Sequence, residues 1–173
     1  MPKLKEQFYF RKALLADIET IWKILQQAIE RRKEDGSKQW QDGYPNPETI
    51  ENDINNNFGF VLESKNEIIA YAALIFDLEP AYEIIEGKWL SDKEYLVVHR
   101  VAVSTESARK GVATQIFKEI EKIAISKNIF SIKVDTNFDN IPMLKILNKL
   151  GYQYCGEVYF RGAARKAFEK LLN

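Results

Sequence analysis

The run Val101-Ala102-Val103-Ser104-Thr105-Glu106-Ser107-Ala108-Arg109-Lys110-Gly111-Val112-Ala113-Thr114 holds the residue types of an anion site. Its valines read as the end of a strand, its polar middle as a short loop, and Val112 onward as the start of a helix. The first turn of a helix presents unpaired N–H groups and the positive end of the helix dipole, so a phosphate can be held there. Gly111 would let the backbone approach such a group closely, and Arg109 and Lys110 would add charge. On local spacing alone, a solvated turn with a surface charge pair is the alternative. Neither GxxxxGK[ST] nor GxGxxG occurs, which weakens the two commonest nucleotide-cradle readings.

His99, the single histidine, precedes this run. An ordinary imidazole titrates near pH 6.5, which suits proton transfer at neutral pH. Strand alternation groups Val97, His99, Val101 and Val103 on one face and Val98, Arg100 and Ala102 on the other. A histidine packed and hydrogen-bonded under helices is the competing reading. Arg100 is expected to pair with a carboxylate such as Asp135. The turn-rich stretch from Ser37 to Pro47 carries Trp40 and Tyr44, which are costly to leave in water. That loop therefore either plugs the core or lines a pocket.

The elements that position these residues follow from periodicity. Gln7 to Lys12 alternates as a short strand. Asp17 is expected to cap a helix whose face is Ile18, Ile21, Trp22, Leu25, Ala28 and Ile29, ending near Gly36. Pro47 starts a second helix, with Ile50 and Ile54 inward. Phe58 to Glu63 and Ile68 to Phe76 form a hairpin about Lys65-Asn66, and Tyr95 to Val103 is the next strand. Val112, Ile116, Phe117, Ile120, Ile123 and Ala124 mark a helix, Phe130, Ile132 and Val134 a strand, and Asp139 to Leu150 a helix stopped by Gly151. Tyr152 to Phe160 is a strand. Ala164 to Leu171 reads as a strand or a short helix.

A length of 173 residues suits a single domain spanning 1–173. Acidic and basic residues each number 25, so net charge is zero and no broad footprint for nucleic acid or membrane is indicated. One cysteine, Cys155, rules out an intrachain disulfide framework and a multi-cysteine zinc site, and no metal is expected. With no secretory leader and no long apolar run, the expected location is cytoplasmic.

Ala108 to Ala113 resembles motif A of the GNAT acetyltransferases, where a strand ending in Ala-Val leads into [Gln/Arg]-x-x-Gly-x-[Gly/Ala] and a helix. Asn140-Ile141-Pro142-Met143-Leu144-Lys145-Ile146-Leu147-Asn148-Lys149-Leu150-Gly151-Tyr152 looks like that family's motif B, roughly Asn-x-x-Ala-x-x-x-Tyr-x-x-x-Gly-Phe. The element order matches over almost the whole chain. The resemblance implies an α/β single-domain GNAT fold, with a mixed central sheet of six or seven strands and about four helices. It implies acetyl-CoA as acyl donor and direct attack by a primary amine of a small molecule, peptide or protein.

Residue by residue, the resemblance implies that the N–H groups of Arg109, Lys110, Gly111, Val112, Ala113 and Thr114 hold the coenzyme pyrophosphate. Main-chain groups of Val101 and Val103 would pair with the pantetheine arm, the Asn140 side chain would steady it, and His99 would be the general base. Trp40, Tyr44 and Glu94 are the corresponding candidates for the acceptor side. Two departures from the pattern matter. Ala108 stands where the family has Gln or Arg, and Leu147 stands where many relatives carry the Tyr that protonates the leaving thiolate. The latter keeps open a non-catalytic acyl-CoA-binding regulatory or sensor module, and an ATP-type nucleotide is a further alternative. A monomer or homodimer is expected.

Overall fold

The computed structural model describes residues 5–173. The strands are β1 Phe8–Lys12, β2 Gly59–Ser64, β3 Glu67–Ile75, β4 Glu86–Gly87, β5 Leu96–Val103, β6 Ser131–Thr136, β7 Gln153–Phe160 and β8 Ala163–Leu171. The helices are α1 Ile18–Glu34, α2 Pro47–Asn55, α3 Pro80–Glu83, α4 Val112–Ser126 and α5 Ile141–Lys149. The strands make one sheet in the order β1-β2-β3-β5-β6-β8-β7-β4. Among the described residues β5 and β6 are its one parallel pair.

Among the described residues the sheet thus has eight strands rather than six or seven, and there are five α-helices rather than about four. The additions are β4 and α3, both in the irregular stretch after β3. They are too short to leave a periodic trace in the sequence. The tail resolves as β8, because it is paired on both sides, by β6 and by β7. Asp17 stands at the head of α1 but does not cap it. Its carboxylate instead accepts from the Leu14 N–H at 2.7 Å and from the Arg11 guanidinium at 2.8 Å. Asn46 does cap α2, accepting the Thr49 N–H at 3.0 Å ahead of Pro47.

Helices α4 and α5 cover one face of the sheet, burying Ile116, Phe117, Ile120 and Leu147 against Leu62, Leu74, Leu96 and Val98. On the opposite face α1 and α2 bury Ile21, Leu25 and Ile50 against Val61, Tyr71 and Ala102. A third cluster on that second face joins Tyr82, Tyr95, Val97, Val158 and Ala167.

Two irregularities in β5 shape the middle of the molecule. Ala73 lies opposite His99 and Tyr71 opposite Ala102, so Ala72 faces both Arg100 and Val101, and Arg100 takes φ +54°. This is a β-bulge, which re-aims the side chains beyond it. The simple alternation expected for β5 is therefore broken. Val97 packs with the Tyr82 cluster, and the His99 ring lies tilted to Tyr82 and edge-on to Phe160, whereas Val101 and Val103 pack on the α4/α5 face. The second irregularity is divergence: β5 and β6 are in register only at Leu96–Val98 with Ile132–Val134. Beyond that point the edge of β5 from His99 to Val103 has no strand partner on the β6 side among the described residues.

Candidate active site

Where β5 ends, a 3-10 turn at Thr105–Ser107 leads to Gly111, whose φ is +77°. An added Cβ there would meet no heavy atom within 4 Å. The first hydrogen bond of α4 runs from Gln115 N–H to the Gly111 carbonyl at 3.0 Å. Among the described residues, no protein acceptor engages the N–H groups of Arg109 through Thr114. These residues, Lys110 apart, and the start of α4 line a groove of about 530 Å3.

Val101, Val103, Arg109, Gly111, Val112, Ala113, Thr114 and Asn140 all line that groove. Lys110 does not: it is exposed and stands outside the lining, because the turn at Arg109, φ +65°, sends successive side chains apart. Two cations that the local pattern did not single out do line it, Arg31 and Arg32 from the end of α1. Arg31 donates to the Val103 carbonyl at 2.6 Å and to Thr105 Oγ1 at 2.9 Å. Burial, then the neighbouring Arg32, lowers the Arg31 pKa from its ordinary value. The Asn140 side chain caps α5 through the Met143 N–H, accepts from Arg32 at 2.8 Å and donates to Gln39 at 3.1 Å. Asn140 thus ties α5 to α1 and to the Gln39 loop, and its amide already holds protein partners.

The groove continues past Val101, Trp40, Asn140 and Met143 into a narrow passage at the divergence of β5 and β6, where Tyr44, His99 and Asp135 join the wall. Trp40 satisfies both earlier readings, packing on the α1/α2 core and lining the groove. The passage opens on the other face into a pocket of about 350 Å3, lined by Tyr44, His99, Asp135, Phe160, Arg161 and Arg165. Glu94 is not part of this set. It is exposed at the edge of a separate cavity with Trp89 and Lys133, in the loop just ahead of β5.

His99 lies between two carboxylates, with Nε2 3.2 Å from Glu79 Oε2 and Nδ1 3.8 Å from Asp135 Oδ2. Its ring meets Phe160 edge-on at 5.8 Å. The Glu79 carboxyl is held below its ordinary value, chiefly by the hydrogen bond from His99. Asp135 Oδ2 accepts the Tyr82 hydroxyl at 2.6 Å. Burial, then Asp135, pushes that phenol well up.

Arg100 does not reach Asp135 as expected, because the bulge turns it toward α2. Its Nε donates to Asp53 Oδ2 at 2.9 Å, a second nitrogen to Asp53 Oδ1, and a third to the Tyr44 hydroxyl. Tyr71 adds its hydroxyl to Asp53 at 2.6 Å. This buried cluster fixes both the bulge and Tyr44. Leu147 is fully buried in the core under α5, so no phenol stands at that position, and Tyr152 is buried against Phe117. The residues missed by local reasoning, Arg31, Arg32, Asp53, Phe160, Arg161 and Arg165, carried weak signals. Arg31-Arg32 closes an apolar helix face, and Phe160-Arg161-Gly162 forms a charged hairpin turn.

A profile of the acetyltransferase (GNAT) family matches residues 22–152. An acetyltransferase of the GNAT family from Streptococcus agalactiae 2603 superposes with a TM-score of 0.90 at 36% identity, covering 99% of each chain. A GNAT-family acetyltransferase from Listeria monocytogenes 4b F2365 gives 0.76 at 21% identity over 95% of each chain. The structure of yncA from Salmonella typhimurium, solved with its cofactor acetyl-CoA, gives 0.69 at 13% identity, covering 96% of this chain and 95% of that one. None of the curated proteins compared matches by sequence.

Proposed function

This chain belongs to the acetyltransferase (GNAT) family, and from that premise we propose that it moves an acetyl group from acetyl-CoA to a primary amine by direct attack. Acetyl-CoA is the co-substrate of this family. The observation that carries the reading is the row of N–H groups from Arg109 to Thr114, free of protein acceptors at a helix start and opening into the divergence of β5 and β6. A diphosphate needs such a cradle, and Gly111 leaves room for it.

In this reading Arg109 and the amides from Lys110 to Thr114 hold the pyrophosphate. The unpaired edge of β5 near Val101 lies along the pantetheine, and Arg31 and Arg32 add positive charge beside it. Bound there, acetyl-CoA supplies an activated acetyl thioester. The N–H groups of the free β5 edge stabilise negative charge developing on the acetyl oxygen. Glu79 accepts the Nε2–H of His99 and so leaves the lone pair on Nδ1, which takes a proton from the incoming amine. Trp40 and Tyr44 wall the passage and exclude water from it.

The test is calorimetric titration of acetyl-CoA into Gly111→Leu. A side chain at this left-handed position costs about 1–2 kcal/mol of stability. The Cβ it adds meets no heavy atom within 4 Å, so the variant is expected to fold. Coenzyme binding is expected to be lost. An unchanged dissociation constant would refute the cradle.

A further inference from the structure

We propose that the acceptor is a small amine bearing a carboxylate, of the size of a free amino acid, with Arg165 and Arg161 as the groups that receive its acid end. This rests on the acetyl-transfer reading and names the substrate class of the same site.

Arg165, on β8, has a side chain 14% exposed at the wall of the outer pocket. Its nearest carboxylate is Asp135, 3.9 Å from Nη1. That is beyond hydrogen-bond distance, and the Tyr82 hydroxyl holds the other carboxylate oxygen, Oδ2. Among the described residues, the buried Nε of Arg165 has no hydrogen-bond partner. By contrast, Arg11, Arg31, Arg32 and Arg100 each donate to acceptors at 3.2 Å or less. A largely buried guanidinium without a close counter-ion is costly in a folded protein. An anion entering the pocket would offset that cost.

Arg161 stands at the mouth, its guanidinium 4.3 Å from the centre of the Tyr44 ring. Among the described residues its one ion pair is with Asp42 at 3.3 Å, and both side chains are about half exposed. Such pairs contribute little and exchange readily for a ligand carboxylate. The pocket wall therefore carries two guanidinium groups against a single carboxylate, Asp135. That balance disfavours an acceptor carrying only positive charge. It favours one whose acid group reaches Arg165 and Arg161 while its amine points to His99, with the carbon skeleton between Tyr44 and Phe160. A volume of about 350 Å3 lies at the small end for ligand pockets, which suits a free amino acid better than a segment of folded protein.

The experiment uses leucine, phenylalanine and glutamate, each against its decarboxylated amine and its α-carboxamide. Two readouts are taken on the whole chain: calorimetric binding to the coenzyme A-loaded protein, and thiol release from acetyl-CoA. Charge-assisted hydrogen bonds to one carboxylate predict that the acids bind about 10- to 100-fold more tightly than the decarboxylated amines. Arg165→Met should shrink this preference to within a few-fold while the acetyl-CoA dissociation constant stays unchanged, and Arg161→Met should reduce it partly. Equal or weaker binding of the acids to the wild-type protein would overturn the inference, as would a preference that survives in Arg165→Met. Thiol release decides the other question: if none of the amines is acetylated, the transfer reading fails, while the binding comparison still decides the pocket's preference.

Discussion

Removing Asp53 should cost this protein far more than the loss of one surface carboxylate would. The Asp53 and Arg100 side chains are 6% and 11% exposed, and Asp53 accepts two hydrogen bonds from Arg100 and one from the Tyr71 hydroxyl. Asp53→Ala would leave a buried guanidinium without its counter-ion and a buried phenol without an acceptor. Breaking a buried pair from one side costs about 3–5 kcal/mol. The orphaned phenol belongs to the same network, so its cost does not simply add. In a domain of this size about 2–4 °C of melting temperature goes with each kcal/mol, so the melting point should fall by about 6–20 °C. Urea and thermal unfolding followed by tryptophan fluorescence measure this. Arg100 sits at the bulge with φ +54° and also holds Tyr44, so acetyl transfer should fall even where the variant is folded. The double variant Asp53→Leu/Arg100→Met should recover most of the stability, because an apolar pair of similar volume removes the unpaired charge. A loss below about 1 kcal/mol in Asp53→Ala, or no recovery in the double variant, would refute the argument that this pair anchors β5.

His99→Ala should lower the transfer rate by about 10²- to 10⁴-fold and abolish the rising limb of the pH–rate profile, with acetyl-CoA affinity unchanged. A retained limb would remove His99 as the base. Lys133 gives a pH test of stability: it is 3% exposed, its Nζ lies 3.9 Å and 4.3 Å from the Tyr95 and Trp89 ring centres, and burial lowers its pKa below 10.5. The unfolded chain then binds a proton that the folded chain releases, so this group makes stability rise with pH between its folded pKa and 10.5. The slope for one proton is at most about 1.4 kcal/mol per pH unit. Urea midpoints from pH 7 to 10 should rise less steeply for Lys133→Met than for the wild-type chain, and parallel slopes would contradict the assignment.

Much of this molecule was legible in the order of its residues, because the signals are local. The helical spacing from Val112 onward, the glycine at position 111, the asparagine and proline opening α5, and the Lys65-Asn66 hairpin each depend on neighbours a few positions away. The strand-turn-helix segment from Val101 to Thr114 therefore has the expected form, and the motifs that marked the family lie within that reach. The short β4 and α3 escaped because a strand of two residues or a single helical turn has no period to detect. The Lys110 side chain stands outside the groove because adjacency in sequence says little about direction once a residue such as Arg109 adopts a left-handed backbone.

The chemical surroundings of the candidate base were settled by long-range pairing instead. Whether His99 and Val101 share a face depends on the register of β5 against β3, and the extra residue opposite Ala72 reverses the simple alternation. Glu79 and Asp135 reach His99 from separate segments, Asp53 takes Arg100 from α2, and Arg165 arrives on a strand that is placed by β6 and β7. A side chain's charge and size travel with its residue type. Its partners are set by which strands hydrogen-bond and in what register, and that information is distributed over the whole sheet.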